Sequence, residues 1–362
     1  MLVEGAILDA DGPRAAYVRF REGKVVEVGA RGTASTRGRD RVVHGIVIPP
    51  PVNGHTHLGD AVSVREPPAG PVGELVAPPH GYKFQLLASA APSAKVAALR
   101  VALAQMAREG VAATIDFREE GLAGVEMLRA ALRGSRVRGF IFGRPLRRPV
   151  QPGELRRLLQ EADGVGLSGA REEDETTRRA VARACRLARR RYALHASESA
   201  REPPESYLDP TPDLLVHLAK ATSDDLAAVR DEGVTVAVCP RSNALFGRQP
   251  DLQEMERLGI RVLLGTDNAM FHRPSIWSEL QFAYTSSRLL DRPASAAFLS
   301  RAALIEPWLW LGEPQAARIT PESPVRPLVL RLPPDDPAYQ VATRTTEQFI
   351  VRPGPRAHRV RG

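Results

Sequence analysis

Five residues of this 362-residue chain could be gathered at one point by ordinary secondary structure: His55, His57, His195, His217 and Asp267. Each follows a short apolar run. In an extended strand, residues two apart point to the same side, so His55 and His57 aim two imidazoles in one direction. With His195 and Asp267 they make a shell of three nitrogens and one oxygen. Such a shell suits zinc first, with iron or manganese as alternatives, and leaves a position for water. A divalent ion held there lowers the pKa of its bound water to about 7. Taken singly, each residue has a plainer role: His217 as a core histidine, Asp267 as a helix cap. Their joint placement at successive run ends argues for a common site.

The elements that must position them follow from the same pattern. Eight apolar runs occur, at 48–52, 111–117, 137–142, 165–167, 192–194, 214–216, 234–238 and 262–264. Continuous apolar runs of this length suit parallel strands buried on both faces. Helical periodicity fills most intervals, at 94–109, 122–132, 154–162, 172–190 and 251–258. The helix after the sixth run opens with Ser223 and two acids, and the last ends at Gly259, in keeping with capping preferences. The fold class expected is α/β, a (β/α)8 TIM barrel spanning 49–318, with its active site at the carboxyl ends of the strands. Residues 1–48 read as short alternating strands. The Pro-rich tail reads as strands at 328–332, 340–342 and 348–351, and as disorder from 353 to 362. Segments 1–48 and 319–362 are expected to form one small composite β-sandwich domain beside the barrel.

Composition excludes several classes. No apolar run approaches the ~18 residues of a membrane span, and residues 1–12 show no basic patch leading into an apolar stretch. The two cysteines, Cys185 and Cys239, give no disulfide framework and suit a reducing compartment, so a cytoplasmic location is expected. The net charge is +8, yet only four of the 50 basic residues are lysine and the arginines are interleaved with acids along helices. The expected partner is therefore a small-molecule substrate, with neither nucleic acid nor membrane, and a homodimer is admitted as an assembly. Arginine richness also fits a GC-rich genome or a thermophile.

Together the motifs resemble those of the amidohydrolase superfamily. They run Pro51-Val52-Asn53-Gly54-His55-Thr56-His57, then Leu194-His195-Ala196-Ser197-Glu198, then Val216-His217-Leu218, then 238–247 with Cys239-Pro240-Arg241-Ser242-Asn243, and finally Leu264-Gly265-Thr266-Asp267-Asn268. They are similar to the aminohydrolase branch that includes cytosine, guanine and S-adenosylhomocysteine deaminases and the triazine hydrolases. The resemblance implies that His55, His57, His195 and Asp267 hold metal, that Glu198 shuttles protons, and that His217 contacts the substrate or the attacked oxygen. Two-metal members carry a carboxylated lysine on strand four. Residues 164–169 have none, so one divalent ion is implied.

The activity implied is hydrolytic deamination of an aminated heterocycle, of nucleobase, nucleoside or pterin type. Asp267 takes a proton from the nucleophilic water, Glu198 protonates the ring nitrogen, and His217 stabilises the developing oxygen. A cyclic amide, an N-acyl group or a carbon–chlorine bond could be cleaved at the same centre, and a non-catalytic basic binding protein is a further alternative. The stretch 58–84 departs from the branch's substrate loop, so no substrate carries over. Candidate substrate contacts are Lys83 and His80 in a Gly/Pro-rich loop, Arg118 and Glu119 after strand two, and Asn243. Lys83 would anchor an anionic group or else lie on the surface. Arg118 and Glu119 would bind a polar substrate or else pair with each other. Gly164 to Gly169 spell a dinucleotide-type glycine pattern, but a helix rather than a strand precedes them. Cys239 has no neighbouring base and reads as a buried thiol.

Overall fold

The computed structural model describes residues 1–35, 40–63, 65–147 and 149–353. Apart from Pro353, the expectation for 353–362 lies outside the described residues. The chain divides into two units, Met1–Pro51 with Ala296–Gly362, and Val52–Ser295.

The first unit is built from both chain ends. It contains β1 (Leu2–Asp9), β2 (Gly12–Arg21), β3 (Lys24–Ala30) and β4 (Val42–Ile48). The second unit supplies β5 (Val52–His57), β6 (Ala113–Arg118), β7 (Arg138–Gly143), β8 (Gly164–Leu167), β9 (Arg191–Ala196), β10 (Leu214–His217), β11 (Thr235–Val238), β12 (Val262–Leu264) and β13 (Asp267–Asn268). The chain then returns to the first unit with β14 (Leu328–Leu330) and β15 (Ile350–Val351). There the order β15-β14-β4-β1-β2-β3 makes one six-stranded mixed sheet. Val3, Ile7, Val18, Phe20, Val47 and Val329 are among its core residues.

In the second unit the strands run in parallel from β5 to β12, separated by helices that include Pro92–Arg108, Gly121–Leu132, Pro152–Glu161, Glu175–Leu187 and Ser223–Asp231. The sheet order ends at β12 on one side and at β13, beside β5, on the other. These two are halves of one strand, interrupted at Gly265-Thr266. Gly265 N–H donates to Val238 O and Thr266 N–H donates to His55 O, both at 3.0 Å. The eighth strand thus joins β11 to β5, and the (β/α)8 barrel closes. Glycine is required at the join, since a Cβ on Gly265 would sit 2.6 Å from the His55 nitrogen. A buried amide clamp reinforces it: Asn53 Nδ2 donates to Thr266 Oγ1 (2.8 Å), and Thr266 N–H donates to Asn53 Oδ1 (3.0 Å).

Several local expectations change. The apolar run 48–52 straddles two elements. Ile48 ends β4, Pro49 to Pro51 cannot donate to a ladder, and the barrel strand begins at Val52 with both histidines inside it. Residues 340–342 are helical, within Pro337–Arg344. Asp336 caps that helix and Pro337 takes its first position, while Ala338, Val341 and Ala342 form the buried stripe at helical spacing. The cap before Asp225 is Thr222 rather than Ser223, in a reciprocal capping box. Among the described residues, no single helix is long and apolar enough to cross a membrane.

Candidate metal centre

Three strand ends bring the predicted ligands together. His55 and His57 come from β5, His195 from β9, and Asp267 opens β13. His57 Nε2 lies 3.4 Å from His195 Nε2. Asp267 Oδ1 lies 3.3 Å from His55 Nε2 and 3.5 Å from His57 Nε2. A tetrahedral zinc shell with bonds of about 2.1 Å has ligand–ligand edges of about 3.4 Å, so these separations match.

The proton positions make the fit sharper. His195 Nδ1–H donates to Leu167 O at 2.9 Å, and His57 Nδ1–H donates to Phe117 O at 3.1 Å. Each ring therefore presents an Nε2 lone pair, and the two lone pairs face each other. Two acceptors at 3.4 Å repel unless a cation lies between them. Both His55 ring nitrogens and Asp267 Oδ1 are buried without a hydrogen-bond partner, an arrangement that burial penalises unless an ion completes it. Burial holds all three ligand histidines below the usual imidazole pKa, His57 at about 3 with the Lys83 charge adding to the effect. They are thus neutral donors at neutral pH. Burial pushes the Asp267 carboxyl up, but its His55 contact and the His217 charge outweigh this and hold it well below the usual range.

The backbone is strained where these groups are displayed. Ser197, His217, Leu218 and Asp267 all have positive φ, between 46° and 78°. Such non-glycine geometry persists where the surroundings impose it. At Asp267 the imposing contact is visible: Ser242 Oγ, from helix Pro240–Leu245, donates to Asp267 Oδ2 and leaves Oδ1 facing the histidines.

The centre opens into a cleft whose wall includes Lys83, Arg144, Ser168, Glu198, His217 and Asn268. Glu198 Oε2 lies 3.7 Å from His217 Nε2. Burial raises the Glu198 pKa, with the His217 charge opposing. Asn243 Nδ2 donates to His217 Nδ1 at 3.2 Å, which leaves the imidazole proton on Nε2, toward Glu198.

The remaining candidates are placed as follows. Asn243 is buried against His217 rather than on the cleft wall. His80 is exposed and away from the cleft. Lys83 is neither in a loop nor on the surface. It stands on helix Tyr82–Ser89, 2% exposed, with Nζ 2.5 Å from Glu119 Oε1 and donating to Asn268 Oδ1 at 3.0 Å. Arg118 and Glu119 pair with each other at 2.5 Å, and Arg118 also binds Asp116 Oδ1 at 3.0 Å. Both are buried and neither lines the cleft. Ser242, the Asn53–Thr266 clamp and Asp60 escaped the sequence reading. Ser242, Asn53 and Thr266 lie within the motifs above, and no local signal pointed to Asp60. Cys185 and Cys239 are free and buried, and burial raises both thiols.

No family model matches the chain. A protein of Methanothermobacter thermautotrophicus described as "Putative aminohydrolase" is 34% identical over 263 residues, covering 67% of this chain and 68% of its own length. An adenosine deaminase from Xanthomonas campestris with bound zinc superposes with a TM-score of 0.74 at 17% identity, over 96% of this chain and 90% of that one. Atrazine chlorohydrolase from Arthrobacter aurescens, complexed with zinc, gives 0.72 at 18% identity, over 98% and 95%. A closed (β/α)8 barrel with three histidines and an aspartate at its strand ends defines the class, and the chain belongs to the amidohydrolase superfamily. Within it, the chain groups with the aminohydrolases.

Proposed function

We propose that the chain catalyses hydrolytic deamination of an aminated heterocyclic small molecule at one divalent ion, zinc in the first instance. The observation that carries the reading is the pair of opposed Nε2 lone pairs of His57 and His195, closed by Asp267 Oδ1, with a proton-holding Glu198 beside them. His55, His57, His195 and Asp267 would hold the ion. When bound, it supplies Lewis acidity and lowers the pKa of a water molecule to about 7.

The chain's own groups do the rest. The Asp267 carboxylate, whose Oδ1 points into the centre, accepts the proton of the attacking water. Glu198 keeps its proton to higher pH than an ordinary glutamate and delivers it to the ring nitrogen next to the attacked carbon. His217 Nε2–H donates to the oxygen that gains charge as that carbon becomes tetrahedral. Asp267 then passes the proton it took to the departing amine, which leaves as ammonia, while Glu198 takes back the hydroxyl proton as the carbonyl forms.

The test begins with elemental analysis of the purified protein, followed by product analysis on aminated purines, pyrimidines, pterins and triazines. About one equivalent of metal per chain and release of ammonia support the reading. Release of a carboxylate or of chloride instead moves the reaction to another bond. No metal after incubation with zinc, iron or manganese overturns the reading.

A further inference from the structure

His57 and His195 are backed differently. His195 Nδ1 has the neutral carbonyl of Leu167 at 2.9 Å. His57 Nδ1 has the Phe117 carbonyl on its N–H axis at 3.1 Å, but Glu119 Oε1 lies nearer, at 2.7 Å and to one side. That carboxylate belongs to a chain of buried charges. Its Oε1 also meets Lys83 Nζ at 2.5 Å, its Oε2 meets Arg118 Nη2 at 2.5 Å, and Arg118 Nη1 meets Asp116 Oδ1 at 3.0 Å. Asp60 Oδ2 stands 3.8 Å from Lys83 Nζ. Glu119, Lys83, Arg118, Asp116 and Asp60 all have side chains no more than 2% exposed. A surface salt bridge contributes little, whereas removing one partner of a buried pair leaves an uncompensated charge.

Resting on the reading of the centre as a divalent-metal site, we propose that Glu119 and Lys83 act as an opposed pair of positioning residues that sets the strength of His57 as a ligand. Glu119 sets a negative charge beside the Nδ1–H of His57, 2.7 Å from the nitrogen, and so increases the electron density that Nε2 offers to a cation. Lys83 shares the same carboxylate oxygen and withdraws part of that charge. Its ammonium also stands on the cleft wall beside the cation position. The pair therefore holds the centre at an intermediate affinity. Neither residue is required to touch the reacting atoms in this role, and Glu119 is enclosed behind the ligands.

The signs of the two effects are opposite, and this separates the proposal from a structural role. Removing the Glu119 charge takes from Lys83 its nearest carboxylate and leaves Arg118 with Asp116 alone, so positive charge builds up near the metal position. Removing the Lys83 charge leaves the full carboxylate behind His57. The experiment measures zinc dissociation constants, by competition with a chromogenic chelator, for the wild type, Glu119→Gln, Lys83→Gln and the double variant. Circular dichroism and thermal melting of the metal-free proteins accompany the titrations. Glutamine at position 83 retains a donor for Asn268, and Lys83→Met is the second choice where that variant misfolds.

Expected are a loss of about 10–100-fold in affinity for Glu119→Gln, a gain of about tenfold for Lys83→Gln, and partial restoration in the double variant. Weakening by both single substitutions, or affinities all within roughly twofold of wild type, overturns the proposal while leaving the metal centre itself intact. A wild-type chain that binds no zinc, iron or manganese overturns both the centre and the proposal built on it.

Discussion

Ser242→Ala tests how the barrel presents its carboxylate ligand. Ser242 is fully buried, and its hydroxyl donates to Asp267 Oδ2. Asp267 is held at φ 60°, a conformation that costs energy for a residue with a side chain. Alanine keeps the backbone and removes a single hydrogen bond to a buried carboxylate, a loss of about 1.5–3 kcal/mol. For a unit of this size that lowers the melting temperature by roughly 3–12 °C. The released carboxylate can then rotate, and Oδ1 no longer holds its position 3.3 Å from His55 Nε2 and 3.5 Å from His57 Nε2. Loss of such an outer partner weakens metal binding by about 10–100-fold. Differential scanning calorimetry of metal-free and zinc-loaded protein, with a chelator titration, reads both effects. Asp267→Asn serves as the reference, because it removes the ligand charge and must weaken zinc further than Ser242→Ala. Wild-type melting of metal-free Ser242→Ala would refute the reasoning, for it would mean that the bond does not constrain Asp267.

Two further outcomes follow from the same geometry. Glu198→Gln keeps the four ligand atoms, so metal per chain should be unchanged while ammonia release falls by about 10²–10⁴-fold. Undiminished turnover in that variant would remove Glu198 from the proton path. Asp60 concerns pH. Burial, opposed by Lys83, pushes its carboxyl up to about 8, and its Oδ1 accepts from Met270 N–H at 3.1 Å, an interaction that asparagine can retain. A folded pKa above the unfolded one gives stability that is complete below about pH 4 and is lost as the pH rises to 8. Metal-free Asp60→Asn should therefore gain on the wild type between pH 5 and 8, by at most about 1.4 kcal/mol per pH unit, and keep that accumulated difference above 8. Denaturant midpoints across that range check the slope, and parallel curves would contradict it.

The barrel and the convergence of His55, His57, His195 and Asp267 were legible because both depend on local signals. Buried parallel strands require continuous apolar runs, and the residues following them necessarily reach the carboxyl rim. Histidines in alternate positions of a strand need no knowledge of distant partners to be seen as convergent. What escaped depends on neighbours far apart in sequence. Lys83 stands in a stretch rich in glycine and proline, and nothing local shows that its ammonium turns inward to Glu119 and Asn268. The Arg118–Glu119 alternative was open for the same reason, since only packing decides whether adjacent charges meet each other or a ligand. Residues 340–342 were misread because three residues are too few to show a period, whereas the Asp336-Pro337 start signal was there to be used. Ser242 lay in a quoted motif, but its hydroxyl acquires a purpose only when Asp267 is brought beside it.

The interrupted eighth strand has a consequence for how the protein comes into being. Asp267 pairs with Thr56 at the seam where the sheet meets itself, so the last of the four converging residues to be synthesised lies where the ring is completed. A chain emerging from the amino terminus carries His55 and His57 early, His195 much later, and the carboxylate after that. A partly made barrel can therefore offer a cation no more than a loose cluster of imidazoles. The four groups converge only once the cylinder is shut, and on the proposed reading tight metal retention would be a certificate of finished folding.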